Sequence, residues 1–248
     1  MSQLRVFYRL SDKGEKKEKL PQISNRACLE NFMTHFPPNQ IAVIADNVSD
    51  ETFAWLGTYP FASLKRTALG NSASFWESFC DALALADDCA AYFVENDYLH
   101  RTGARAALLE GLQIADYVTL YDHPDKYVDG INPLVRRGGE VSRVNLTASC
   151  HWKTTNSTTM TFAARVGTLR KDRLIFRNFT VGTLPGYFPG LRRFQRKRVP
   201  GDYPLFRALA RLSGRTLSSP IPAYSTHGET AYIAPFFMDM LEGSPDRA

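Results

Sequence analysis

The sequence predicts an α/β protein whose mixed, mainly parallel sheet is flanked by helices, and three observations carry that expectation. Apolar runs without alternating polarity, LRVFYRL (4–10), IAVIAD (41–46) and AAYFVEND (90–97), read as strands buried on both faces. Helix-patterned stretches separate them, as βαβ units require. Two of the runs end in acids and amides, Asp46-Asn47 and Glu95-Asn96-Asp97. In an open parallel sheet, ligands collect beyond the carboxyl ends of the strands.

The elements follow in chain order. After the first strand, SDKGEKKEKLPQ is a polar loop, and its mixed-sign run KGEKKEK (13–19) reads as solvated. NRACLENFMTHF (25–36) has helical spacing and is broken by FPPNQ. SDETFAWL (49–56) is a short helix with Ser49 as N-cap and Glu51 in its first turn. SASFWESFCDALALA (72–86) places Phe75, Phe79 and Leu83 on one stripe, with Ser72 or Ser74 as cap. ARAALLEGLQIA (104–115) is a helix and DYVTLYD (116–122) a strand. Residues 141–149 and 158–166 are rich in Val, Thr and aromatics, and read as antiparallel or mixed strands. DYPLFRALARLSG (202–214) is a helix capped by Asp202, with Pro204 in the first turn and Gly214 past its end. RTLSSPIPAYSTHGE (215–229) is a strand and a turn-rich loop. The whole reads as one domain over 1–248, with a nucleotide-type half (1–130) and an acceptor-type half (131–248).

Composition narrows the class. With 44% hydrophobic residues in 248, the chain can bury a sizeable core. No window approaches the roughly 20 uncharged apolar residues of a membrane span. MSQLRVFYRLSDKG has no apolar signal stretch, so a cytoplasmic location is the expectation. Cys28, Cys80, Cys89 and Cys150 lack C-x-x-C spacing and read as reduced thiols. The net charge of +5 is concentrated in RRFQRKR (192–198), five cations in seven positions. That run is either an exposed face or a patch for a polyanion.

A hard cation such as Mg²⁺ or Mn²⁺ takes oxygen ligands and bridges one or two carboxylates to substrate phosphates. Asp97, just past a buried strand, suits that role, and Glu95 can bind directly or through water. The plainer alternative is two carboxylates capping the next helix or lying in solvent.

VENDYLH resembles the acidic strand-end motif of nucleotide-sugar glycosyltransferases with the GT-A (Rossmann-like) fold, of the inverting, family-2-like kind. The resemblance implies a sugar transferred from a UDP- or GDP-sugar, with Mn²⁺ or Mg²⁺ held by Asp97. IADN matches the strand end that sits near the base and ribose, implicating Asp46 and Asn47. GNSASFWESF falls where a turn and helix pack against the donor, implicating Asn71 and Ser74; Glu95 and Asn96 join them as donor contacts. GDYPLFRALARLSG is similar to the element whose acid deprotonates the acceptor hydroxyl, which carries over to Asp202 only, since Gly201 stands where Glu is usual. STHGE is placed like the late histidine of the metal site, implicating His227, with His151 as competitor.

Other residues are read more weakly. Trp152 stacks on a sugar or base, or belongs to the core. NSTT (156–159) donates to a donor sugar or forms an exposed turn. Tyr8 and Arg9 flank the base or simply pack. His35 and His100 read as structural, and His123 as a loop residue without a role. Arg192, Arg193, Arg196, Lys197 and Arg198 run straight into Asp202 and point to a polyanionic acceptor. DNA with hydroxymethylated bases is one such acceptor; an acidic glycan or a lipid-linked phosphate is another. A nucleotidyltransferase is the alternative enzyme class, weakened by the single glycine of YRLSDKGEKK. A binding module with a degenerate site is the non-enzyme alternative.

Overall fold

The computed structural model describes residues 3–13, 18–21, 23–128, 135, 141–181 and 200–241. Strand β1 (Leu4–Leu10) lies inside the sheet, and every residue of it except Arg5 is buried. On one side it pairs in parallel with β2 (Ile41–Asp46), which pairs in parallel with β3 (Ser63–Thr67). On its other side it pairs in parallel with β4 (Ala90–Glu95). Beyond β4 the sheet is mixed and takes β6 (Tyr117–Val118) together with four strands from the second half, in the order β9 (Phe162–Arg165), β6, β10 (Leu217–Ile221), β8 (His151–Thr154) and β7 (Val144–Leu146). Following the pairings, only β9 and β8 run against the other seven of these nine strands. The sheet is therefore mainly parallel. A second, two-stranded sheet joins β5 (Tyr98–His100) to β11 (Ser225–His227) in antiparallel register.

Alternation along β1 and β4 divides the core in two. Val6, Tyr8 and Leu10 with Tyr92 and Val94 face α1 (Asn25–His35), α2 (Asp50–Leu56) and α4 (Ala104–Ile114). Phe7, Ala91 and Phe93 face α3 (Asn71–Ala82), α5 (Val166–Thr180) and α6 (Asp202–Ser213), where Phe75, Phe79, Phe162 and Phe176 pack ring against ring. A short α7 (Phe237–Leu241) follows β11.

Helix caps agree in part with expectation. Ser49 caps α2 by accepting from Thr52 N at 3.1 Å. Helix α3 is capped by Gly70 instead; Ser72 and Ser74 lie inside it, and both are buried. Likewise Gly201 is the N-cap of α6, so Asp202 is its first helical residue. The strand expected over 116–122 is reduced to β6 and a bridge from Tyr121 to Ser225. Strands β3, β5, β8 and β11 and helices α5 and α7 are not predicted by the sequence patterns. The four cysteines are free, and all but Cys80 are buried. Among the described residues no helix is long and apolar enough to cross a membrane.

Trp152 is a correction. It has no exposed surface, and its indole N–H donates to Thr147 Oγ1 at 2.9 Å, so it can stack on no ligand. Its ring fills the space over Gly111 of α4. A Cβ there would lie 2.7 Å from Trp152 Cη2 and 2.9 Å from Val118 Cγ1. Both neighbours are core side chains with nowhere to go. Gly111→Ala is therefore expected to destabilise the protein by about 1–3 kcal/mol despite alanine's helical preference. Thermal and urea denaturation check this; an unchanged midpoint would mean that the Trp152 contact is slack.

Candidate functional site

Adjacent parallel strands bring Arg9 of β1 level with Glu95 of β4. The guanidinium is buried, and its Nη2 lies 2.5 Å from Glu95 Oε1. Its other arm donates to Asn71 Oδ1 and to the Asn71 carbonyl, both at 2.9 Å, and to Ser74 Oγ at 3.4 Å. Phe75 closes one face of the cation at 5.3 Å. Glu95, Asn71 and Ser74, three of the residues expected on the donor side, are thus gathered around Arg9. Burial pushes the Glu95 carboxyl upward and Arg9 opposes that, while Asp97 and Asp202 add to the rise.

Asp46 closes a separate knot. Oδ1 accepts from Thr67 Oγ1 at 2.8 Å and Leu69 N at 2.6 Å; Oδ2 accepts from Asn47 Nδ2 at 2.8 Å and Gly70 N at 3.0 Å. Burial opposes ionisation, yet these four donors prevail and hold the carboxyl below its ordinary value. Asp46 and Asn47 pin the 67–70 loop at the start of α3, and no lone pair of Asp46 is left for a base or ribose. Asn96 turns toward α1: its amide donates to Asn25 Oδ1 and, at 3.4 Å, to the Ser11 carbonyl.

The chemistry concentrates one residue further on. Asp97 Oδ2 lies 3.4 Å from His227 Nε2 and 3.3 Å from Lys19 Nζ. Asp97 Oδ1 is buried and accepts no hydrogen bond among the described residues. The 97–100 and 225–228 segments are tied by the β5–β11 pairing and by Gly228 N donating to the Asp97 carbonyl at 2.7 Å. This places a late-chain histidine against an acid 130 positions earlier (227 minus 97). His227 Nδ1 accepts from Glu229 N at 3.2 Å, and Tyr98 packs edge-on against its ring at 5.1 Å. A cleft of about 300 Å³ opens over His227 and Glu229 and is walled by Tyr121, His123, Asp125, Thr159 and Tyr232.

The donor set suits a cation that is shared rather than caged. Among the described residues no group of three or more His, Cys, Asp or Glu is arranged to hold a metal. One orphaned carboxylate oxygen and one imidazole leave most of the coordination shell to phosphate oxygens and water, the usual habit of Mg²⁺. Lys19 was not expected here. Lys19, the last residue of the run read as solvated, meets the candidate metal ligand instead, while residues 14–17 of that run lie outside the described residues.

Asp202 is equally occupied. Its carboxylate accepts from Thr158 N at 2.7 Å, Thr158 Oγ1 at 2.6 Å, Thr159 N at 3.1 Å and Met160 N at 3.1 Å. It holds a turn in which Thr159 and Met160 have positive φ, 49° and 58°. That turn also brings Thr159 Oγ1 against Tyr98 OH. The NSTT run is therefore neither an exposed turn nor a row of free donors: Asn156 accepts from the buried Lys126 at 2.8 Å, and Thr158 is buried.

Of the other histidines, His151 is exposed on β8, paired with Leu146 and Ile221, whereas among the described residues the histidine at Asp97 is His227. His100 is a core residue, hydrogen-bonded to Tyr92 OH at 2.7 Å, and burial lowers its pKa to about 3. His35 lies 3.0 Å from the His100 carbonyl. His123, expected to have no role, lines the cleft. Tyr8 is core, packed on Phe32. Arg192, Arg193, Arg196, Lys197 and Arg198 lie outside the described residues.

The fold is the GT-A fold of nucleotide-sugar glycosyltransferases. It is shared with the structure of GalNAc-T7 bound to UDP, GalNAc and Mn²⁺, at 10% identity and a TM-score of 0.55, over 94% of this chain and 45% of that one. TarS of S. aureus aligns at 16% identity and a TM-score of 0.47 over 93% of this chain and 59% of that one. GlyE of Streptococcus pneumoniae aligns at 8% and 0.43 over 88% and 45%. The chain thus spans about half the length of these structures. No protein-family model and no curated protein matches its sequence.

The Asp46 knot has a measurable signature. Asp46→Asn exchanges an acceptor for an N–H₂ group facing amide donors, and is expected to cost about 1–3 kcal/mol at pH 7. Because the folded pKa is depressed, the aspartate's stabilisation is present above the unfolded value near 3.8 and is lost as pH falls toward the folded one. Urea titrations should show the gap between the two proteins narrowing from pH 7 to pH 3; a constant gap contradicts the assignment.

Proposed function

We propose that this chain is a metal-dependent glycosyltransferase that moves a sugar from a UDP- or GDP-sugar to an acceptor hydroxyl. The observation that carries the reading is Asp97, whose buried Oδ1 accepts no hydrogen bond among the described residues while its Oδ2 lies 3.4 Å from Nε2 of His227, a residue that lines the cleft. A buried carboxylate oxygen without a partner costs on the order of 1–3 kcal/mol, a penalty that a bound cation removes. The GalNAc-T7 structure contains UDP, GalNAc and Mn²⁺, which supports the same donor class and ion type for this chain.

Asp97 and His227 would hold the ion, the imidazole through Nε2 in the tautomer that carries its proton on Nδ1 and so gives up the bond from Glu229 N. The ion would supply Lewis-acid stabilisation of the departing nucleoside diphosphate. The protein's own part is positional. Arg9 neutralises Glu95 and fixes the strand end from which Asp97 projects. The Asp46 knot shapes the loop before α3, and Tyr98 braces the His227 ring. Alignment of this kind accounts for a large share of rate in group transfer.

Asp202 as the acceptor base, and with it inversion, is the component the geometry supports least, since all four of its lone-pair positions are filled. Only the Thr158 hydroxyl can rotate away to admit an acceptor hydroxyl. Asp202→Asn is expected to reduce transfer and spare donor binding; loss of donor binding as well would leave Asp202 only its loop-holding role. The polyanionic acceptor, DNA among the candidates, rests on the 192–198 sequence alone. Steep salt dependence of binding to plain duplex DNA favours DNA over an acidic glycan or a lipid-linked phosphate, and no binding even at low salt removes it.

The donor reading is tested by thermal-shift screening of UDP- and GDP-sugars with and without Mn²⁺. Stabilisation that needs the metal is expected, abolished in Asp97→Ala and strongly reduced in His227→Ala. No stabilisation by any nucleoside diphosphate would refute the reading.

A further inference from the structure

Residues 18–20 form a strap against the His227 segment. Thr230 N donates to the Glu18 carbonyl and Leu20 N to the Gly228 carbonyl, each at 3.1 Å, so Lys19 stands opposite Glu229 in an antiparallel bridge. The close approach depends on Gly228, where a Cβ would lie 2.8 Å from Ile23 Cγ2 and 3.1 Å from the Asp97 carbonyl oxygen. Backbone pairing therefore delivers the Lys19 ammonium to Asp97, with the lysine side chain 29% exposed. Lys19 and His227 both crowd Oδ2, and neither reaches Oδ1.

We propose that Lys19 couples the two halves of donor binding, serving as counter-ion of Asp97 in the empty site and as a ligand of the diphosphate in the loaded one. The inference rests on Asp97 and His227 holding a divalent cation. An ammonium a few ångströms from that position repels a metal ion arriving alone. A diphosphate attracts both charges, and the flexible stem and three donors of lysine allow Nζ to turn from Asp97 to a phosphate oxygen. Lys19 thus weakens the binding of cation without nucleotide and strengthens the binding of the two together. That is a coupling free energy between two ligands, and it acts equally in both directions.

The test is isothermal titration of the full chain and its Lys19→Gln and Lys19→Arg variants, with Mn²⁺ alone and then with UDP and GDP at saturating Mn²⁺. Lys19→Gln is expected to bind Mn²⁺ alone at least as tightly as the parent, yet to bind the nucleotide about tenfold more weakly, with Lys19→Arg restoring most of the loss. Both affinities unchanged within about twofold would overturn the proposal. So would a parallel loss of both, which marks Lys19 as a brace for the strap and nothing more. If the parent protein itself binds neither UDP nor GDP, the donor reading falls and the coupling falls with it. That failure is seen in the parent, so it is distinct from the other two.

Discussion

A buried guanidinium holds the acidic strand end in place. Arg9 and Glu95 are register partners on neighbouring strands, and without Arg9 the glutamate would be an uncompensated charge under α3. Removing one member of such a pair typically costs about 3–5 kcal/mol. The same cation binds the first turn of α3 through Asn71 and Ser74, so sheet and helix are locked at the point where the chain leaves β4. Asp97 is aimed by that lock. It reaches the β11 segment with one oxygen engaged and one bare.

The carboxylates around the site divide the labour. Asp46 and Asp202 each gather four donors and tie down loops. Glu95 is spent on Arg9. Of these four, Asp97 is the one with a buried oxygen that accepts no hydrogen bond among the described residues, and its other oxygen lies beside an imidazole and a lysine. A group saturated with hydrogen bonds is a fastener, whereas a buried group left short of one is poised for a ligand. Sequence patterning alone cannot separate the two, because both are acids at the ends of strands or the starts of helices.

Much of the fold was legible because β1, β2 and β4 are uninterrupted apolar runs and α1, α3, α4 and α6 repeat at helical spacing. The missed elements have physical reasons. Strand β3, SLKRT, lies at the sheet edge and keeps a polar composition. Helix α5 carries a buried Asp172 on its inner face, satisfied by Tyr117 and Arg215, which breaks the apolar stripe. Asp97 and His227 could be paired by the order of their motifs. Lys19 could not, since it sits in a run of mixed charge and reaches the site only through backbone pairing with residues 228–230. The fastening role of Asp202 was hidden for another reason: its partner turn takes positive φ at Thr159 and Met160, where no glycine or asparagine signals it.

The central claim is that one ion is shared by His227 and a nucleoside diphosphate. Pulsed electron paramagnetic resonance of Mn²⁺ with the protein and UDP or GDP tests it directly. The account predicts phosphorus and histidine-nitrogen couplings at the same ion, with the nitrogen coupling absent in His227→Gln. Phosphorus coupling alone, as for the free metal–nucleotide complex, would contradict it.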